Sequence, residues 1–187
     1  MNERAGRLFC VLGCAALAAC RAISVAGQAM DQQQWDPLEL QQAFGRAKDL
    51  KLVTSVSDIP VDGRDKLAHL ALYGPLSGET EPLADIGMEW SPGDAMIPGL
   101  PSGQHRFTAV SDELLAIMFV TGGTDIEYRL IVAPRNSRTF CLFRIPPLHP
   151  SNLRLSVVQQ FIRPDRDQTL SKTPKCQLMA LDSTPSK

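Results

Sequence analysis

A chain of 187 residues, 44% hydrophobic and 21% charged, suits one domain with a buried core. Its net charge is −1 and its pI is near 6.3. With no basic stripe and no acidic run, the composition argues against nucleic acid or a polycation as partner.

The N-terminus sets the compartment. Met1 to Arg7 is basic, with Arg4 and Arg7 against Glu3, and Leu8 to Ala19 is apolar. That run has signal-peptide length (about 7–15 residues) and falls short of the roughly 20 needed to span a bilayer. Leu17-Ala18-Ala19-Cys20 resembles the lipobox of bacterial lipoprotein signals, in which a branched residue and two small ones precede a cysteine. The resemblance implies a signal peptide over residues 1–19, cleavage before Cys20 and a lipid on Cys20. Plain secretion, with cleavage near Ala26–Ala29, is the alternative. Two or more acyl chains hold a protein on a membrane stably, at about 0.8 kcal/mol per buried methylene. Arg21 rather than Asp after the cysteine implies, by similarity to enteric lipoproteins, transfer to the outer membrane. The expected location is therefore the periplasm, anchored to the outer membrane. Residues 20–34 are small and Gln-rich and read as a flexible tether, which leaves 35–187 as a single domain. Beyond the lipobox the chain resembles no characterised family.

Cysteine usage agrees with export. Of five cysteines, the lipobox resemblance implies that Cys10 and Cys14 leave with the signal peptide and that Cys20 takes the lipid. Cys141 and Cys176 remain, an even pair in an oxidising compartment, and a structural disulfide is expected. Two buried thiols are the alternative.

In chain order, Asp36-Pro37-Leu38-Glu39 is a helix start, with Asp36 as cap, Pro37 in the first turn and Glu39 closing a capping box. Leu40, Ala43, Phe44, Ala47 and Leu50 follow at helical spacing. Leu52 to Val56 predicts a short strand, Ile59 to Gly63 a turn, and Lys66 to Tyr73 a helix ending at Gly74-Pro75. Pro75 to Gly103 is irregular, and a connection of that length is often functional. Four strands are then predicted at His105–Ser111, Leu114–Thr121, Glu127–Ala133 and Arg138–Ile145. Turn chemistry separates them at Asp112-Glu113, Gly122 to Asp125 and Pro134 to Ser137. Leu114 to Val120 is almost wholly apolar and should be the most buried strand. A helix capped by Ser151 or Asn152 runs to Arg163, Pro164 to Pro174 is a polar loop, and Cys176 to Leu181 adds an edge strand beside the Cys141 strand. The expected fold class is α+β: an antiparallel meander of four to five strands flanked by helices.

Catalytic signals are lacking. His69, His105 and His149 do not pair at metal-ligand spacing, so neither metal nor cofactor is expected. No Gly-x-Ser-x-Gly elbow occurs, and Gly122-Gly123 lacks the Lys-Ser/Thr end of a phosphate loop. Asp85 and Glu89 have the residue types of a glycosidase pair, although two acids in a polar loop are more often solvated. The chain is therefore expected not to be an enzyme but to bind a protein in the envelope. Asp85, Met88, Glu89, Trp90, Asp94 and Met96 form the candidate surface, because Trp and Met are enriched in interface cores. The sharpest form of that expectation is a periplasmic immunity protein, an inhibitor of a toxin or peptidoglycan hydrolase. The alternative is a structural or assembly lipoprotein of an envelope or secretion complex.

Overall fold

The computed structural model describes residues 35–73, 76, 82–93, 97–146, 154–163 and 174–181. The lipobox with Cys20, the tether, Asp94, Met96, His149, Ser151 and Asn152 lie outside them. The described elements belong to a unit that runs from Trp35 to Lys187.

Helix α1 spans Pro37–Arg46, and the Asp36 carboxylate accepts the Leu38 N–H at its start. It stops short of Leu50 because Ala47 is extended. The amide of Gln159 donates to the carbonyls of Phe44 and Ala47, the groups a helix end leaves without partners. Gln159 belongs to α3, Leu155–Ile162. Gln41 of α1 returns the arrangement by donating to the Ile162 carbonyl. The two helices thus cap each other through glutamines.

Both helices pack on one face of a sheet of seven strands among the described residues: β1 (Lys51–Val53), β2 (Leu83–Ala84), β3 (Gly103–Val110), β4 (Leu114–Thr121), β5 (Glu127–Pro134), β6 (Thr139–Ile145) and β7 (Cys176–Ala180). β3 to β6 form the expected antiparallel meander, and β7 joins β6. The expected count of four to five strands is too low, because β1 and β2 both pair with the outer side of β3. β1 is antiparallel to its C-terminal half and β2 parallel to its N-terminal end. A disulfide between Cys141 and Cys176, Cα atoms 5.2 Å apart, holds β7 to β6.

β4 shows why the sheet reads as it does. All eight of its residues are buried, because both faces are covered. Leu114, Ala116, Met118 and Val120 face a core completed by α1 and α3. Leu115, Ile117 and Phe119 face a second core closed by α2, Val61–Tyr73. A strand buried on both sides has no polar alternation to show.

α2 corrects the reading of Ile59 to Gly63 as a turn. The helix begins at Val61, with the Gly63 and Arg64 amides donating to the Pro60 carbonyl. Gly63 is there for closeness: a Cβ would lie 2.9 Å from Ile59 and 3.1–3.2 Å from Ile117 and Leu115. The predicted strand at Leu52 to Val56 is likewise shortened, since Val56–Asp58 turns into a 3₁₀ helix.

Candidate functional site

The irregular stretch between α2 and β3 is built onto the end of the sheet by long-range bonds. Its first anchor is the parallel rung of β2, with Leu83 packed over Gly103. Its second is Asp85. One carboxylate oxygen accepts the Ser55 hydroxyl at 3.0 Å and the other the Val56 amide at 2.6 Å. Asp85 therefore ties the loop to the start of the 3₁₀ turn.

Further along, the Ser91 amide donates to the Pro101 carbonyl at 2.8 Å, and the Ser91 hydroxyl accepts the Ile97 amide at 3.2 Å. Pro92 lies against the turn after β4. Its carbonyl accepts the Gly123 amide at 3.2 Å, and a Cβ on Gly122 would sit 2.4 Å from its carbonyl carbon and oxygen. Only glycine admits two backbones that close. Trp90 is half-buried against the α1–α3 core, while Leu83 belongs to the α2 core.

Two tight turns project from this base. In Asp85-Ile86-Gly87-Met88 the Met88 amide donates to the Asp85 carbonyl at 3.1 Å, with Gly87 at φ +86°. In Ile97-Pro98-Gly99-Leu100 the Leu100 amide donates to the Ile97 carbonyl at 3.1 Å, with Gly99 at φ +82°. A positive φ at the third position is the type II requirement, and Pro98 suits the second. The turns carry Ile86, Met88 and Ile97, which are 56%, 65% and 50% exposed. Glu89 is exposed beside them.

Of the six surface residues expected from the sequence, four are described, and they divide. Met88 and Glu89 face outward, Asp85 braces the loop, and Trp90 packs inward. Ile86 and Ile97 share the exposed apolar character of Met88 and were not singled out from the sequence. Their signal is an apolar residue beside each Gly-containing turn. Below Met88 a cleft of about 550 Å³ is bounded by Ser55–Ser57, by Arg64, Leu67 and Ala68 of α2, and by Pro82–Asp85. Asp85 and Glu89 both line it, but the Asp85 oxygens already hold Ser55 and Val56.

Three further polar groups, His105, Lys66 and Asp62, have displaced pKa values. His105 is fully buried, with Nε2 2.9 Å from the Thr108 hydroxyl and Nδ1 3.3 Å from the Thr54 carbonyl. Burial pushes its pKa below the usual 6.5. Lys66 lies on the inner side of α2 with its ammonium on the Asp62 carbonyl, and burial lowers its pKa too. Asp62 caps the β5–β6 turn, accepting from Arg135 Nε and the Asn136 amide at 3.0 Å each. Burial alone would raise the Asp62 pKa; those donors outweigh it and leave the pKa below normal. A second cleft of about 760 Å³, beside the end of α1, mixes cations and anions (Arg46, Lys48, Asp49, Lys51, Asp112, Glu113, Arg135) and has no single-sign field.

Among the described residues no three His, Cys, Asp or Glu come together as a metal site, and no helix is long and apolar enough to cross a membrane. In comparisons with protein families, curated proteins and solved structures, nothing matches this chain.

Proposed function

We propose that this is a non-enzymatic, lipid-anchored envelope protein that binds another protein through the loop between α2 and β3. Its task, on this reading, is immunity or inhibition: the loop occludes a periplasmic toxin or peptidoglycan hydrolase. The observation that carries the reading is the pairing of exposure with bracing. Ile86, Met88 and Ile97 are each at least half exposed, on turns held from beneath by Asp85, Ser91 and Pro92. A flexible loop loses entropy when it is ordered on binding; a braced one has already lost it. Apolar anchors on a pre-organised loop are what a tight one-to-one complex uses at its centre. Glu89, exposed beside Met88, adds a charge at the rim. Asp94 and Met96 belong to the same loop by sequence.

The lipobox supplies the compartment for this reading, and the tether over residues 20–34 gives the domain reach from the membrane. The test uses the full-length chain as bait in detergent-solubilised envelope, with Met88→Asp and Ile97→Asp beside wild type. Wild type is expected to recover one protein at equal stoichiometry, and both variants to lose it while retaining the wild-type melting temperature. Recovery of the same proteins by all three baits would remove the loop from the interface.

A further inference from the structure

The two edges of the sheet are guarded differently. On one side β3 is covered by strands of three and two residues, and the longer carries Lys51. Short strands and lysine are how natural sheets keep an edge from pairing with another chain. On the other side β7, Cys-Gln-Leu-Met-Ala, has no charge, no proline and an unbroken register with β6. No described strand covers its outer side.

The hydrogen-bond pattern shows which groups that side offers. In an antiparallel pair, alternate rungs exchange both backbone bonds. The Leu181 amide donates to the Arg138 carbonyl at 2.9 Å, so 138/181 is a bonded rung. Stepping by two along the register makes Phe140/Met179 and Leu142/Gln177 bonded rungs as well. Cys176, Leu178 and Ala180 therefore turn their amides and carbonyls away from β6. Ala180 is already engaged elsewhere. Cys176 and Leu178 remain, two consecutive outward rungs, and the Leu178 side chain is 46% exposed.

We propose that β7 is a pairing edge, and that two copies of this chain join their sheets through it in antiparallel register about a two-fold axis at Gln177. The occupant is a second copy for two reasons. An edge strand is self-complementary under a two-fold, since each outward donor meets an outward acceptor on the identical strand. The uncharged composition of β7 also leaves no like charges facing one another. With Cys176 opposite Leu178 of the second copy, and the reverse, the two available rungs are both used and Ala180 is left out. Lys175 then faces Met179 of the second copy, and the two lysines stand several rungs apart. Gln177 meets its own copy on a non-bonded rung, where Cα atoms approach to about 4.5 Å. The Cys141–Cys176 disulfide, by holding β7 in register on β6, keeps the pairing rungs aligned. This interface lies on β7, not on the loop proposed to bind a partner.

The register gives the test. Gln177→Cys and Lys175→Cys are made in the full-length chain, oxidised mildly in detergent and run on a non-reducing gel, with peptide mapping to verify the Cys141–Cys176 bond. The 177 variant is expected to give a covalent dimer and the 175 variant to stay at the level of the parent chain, because only position 177 meets itself within disulfide reach. Leu178→Pro removes an outward donor without touching the β6 ladder. It is expected to abolish the cross-link when combined with Gln177→Cys and to halve the sedimenting protein mass. If Leu178→Pro unfolds the chain, the 177-to-175 comparison decides alone. A parent chain that sediments as a monomer, or equal cross-linking at 175 and 177, overturns the proposal.

Discussion

Replacing Gly122 with alanine tests whether the loop between α2 and β3 is fastened to the sheet. A Cβ at this position would lie 2.4 Å from the Pro92 carbonyl carbon and oxygen and 2.6 Å from its Cα. All three are backbone atoms, so no side-chain rotation relieves the clash, and the loop must lift away. Overpacking of this kind costs about 1–3 kcal/mol. Lifting Pro92 also stretches the Gly123 amide bond to its carbonyl, now 3.2 Å, for another 0.5–1.5 kcal/mol or so. The sum is about 1.5–4.5 kcal/mol, which for a unit of this length lowers the melting temperature by roughly 3–18 °C. Thermal unfolding followed by circular dichroism measures it. Gly87→Ala is the contrast. A Cβ there meets nothing within 4 Å, so its cost is the left-handed backbone alone, about 1–2 kcal/mol. Asparagine, which tolerates that backbone, should recover part of the loss at 87 and none at 122. A Gly122→Ala melt that overlays wild type would refute the close packing of Pro92 on this turn.

Acid titration should destabilise the fold in two stages. The folded pKa of His105 lies below 6.5 because the ring is buried. The unfolded chain therefore binds this proton first, and stability falls as pH drops below about 6.5 until the folded pKa is reached. His105→Gln should flatten that stage in a series of urea midpoints; an unchanged slope contradicts it. Asp62, whose folded pKa lies below 3.8, contributes stability above that value and loses it as pH falls further, so Asp62→Asn should remove the lower stage only. Cys141→Ser, or reductant on the wild-type chain, should cost about 3–4 kcal/mol for a bond spanning a sequence separation of 35. A melt insensitive to reductant would contradict that. Cys20→Ala should abolish membrane association and the lipid mass increment while leaving the domain's melt unchanged; retained association would end the anchor reading.

What was legible in the sequence is the part governed by local chemistry. Leu114–Thr121 is found at the predicted bounds because Ser111 and the turn after Thr121 delimit an apolar run too long for one covered face. Asp36 caps α1 for the same local reason. The failures are tertiary. Gly63 looks like a turn residue, yet its missing side chain serves the approach of a helix to Leu115 and Ile117. Lys66 stands in the stripe with Leu67 and Leu70 and is fully buried, which helical spacing hints at but charge argues against. β2 is too short for a periodic signal, and the places of β1 and β2 beside β3 are set by partners nearly sixty and twenty residues onward. Within the candidate loop, the residue types drew notice correctly but not their roles. Asp85 is a brace because Ser55 and Val56 come to it from about thirty residues away.

The most direct test of the central claim, that the braced loop meets a protein partner, is site-specific photo-crosslinking in living cells. A photoreactive residue at Met88 is compared with one at Leu72, an equally apolar and even more exposed position at 75%. The account predicts one discrete adduct at 88 and none at 72. No adduct at 88, or the same adducts at both positions, would contradict it.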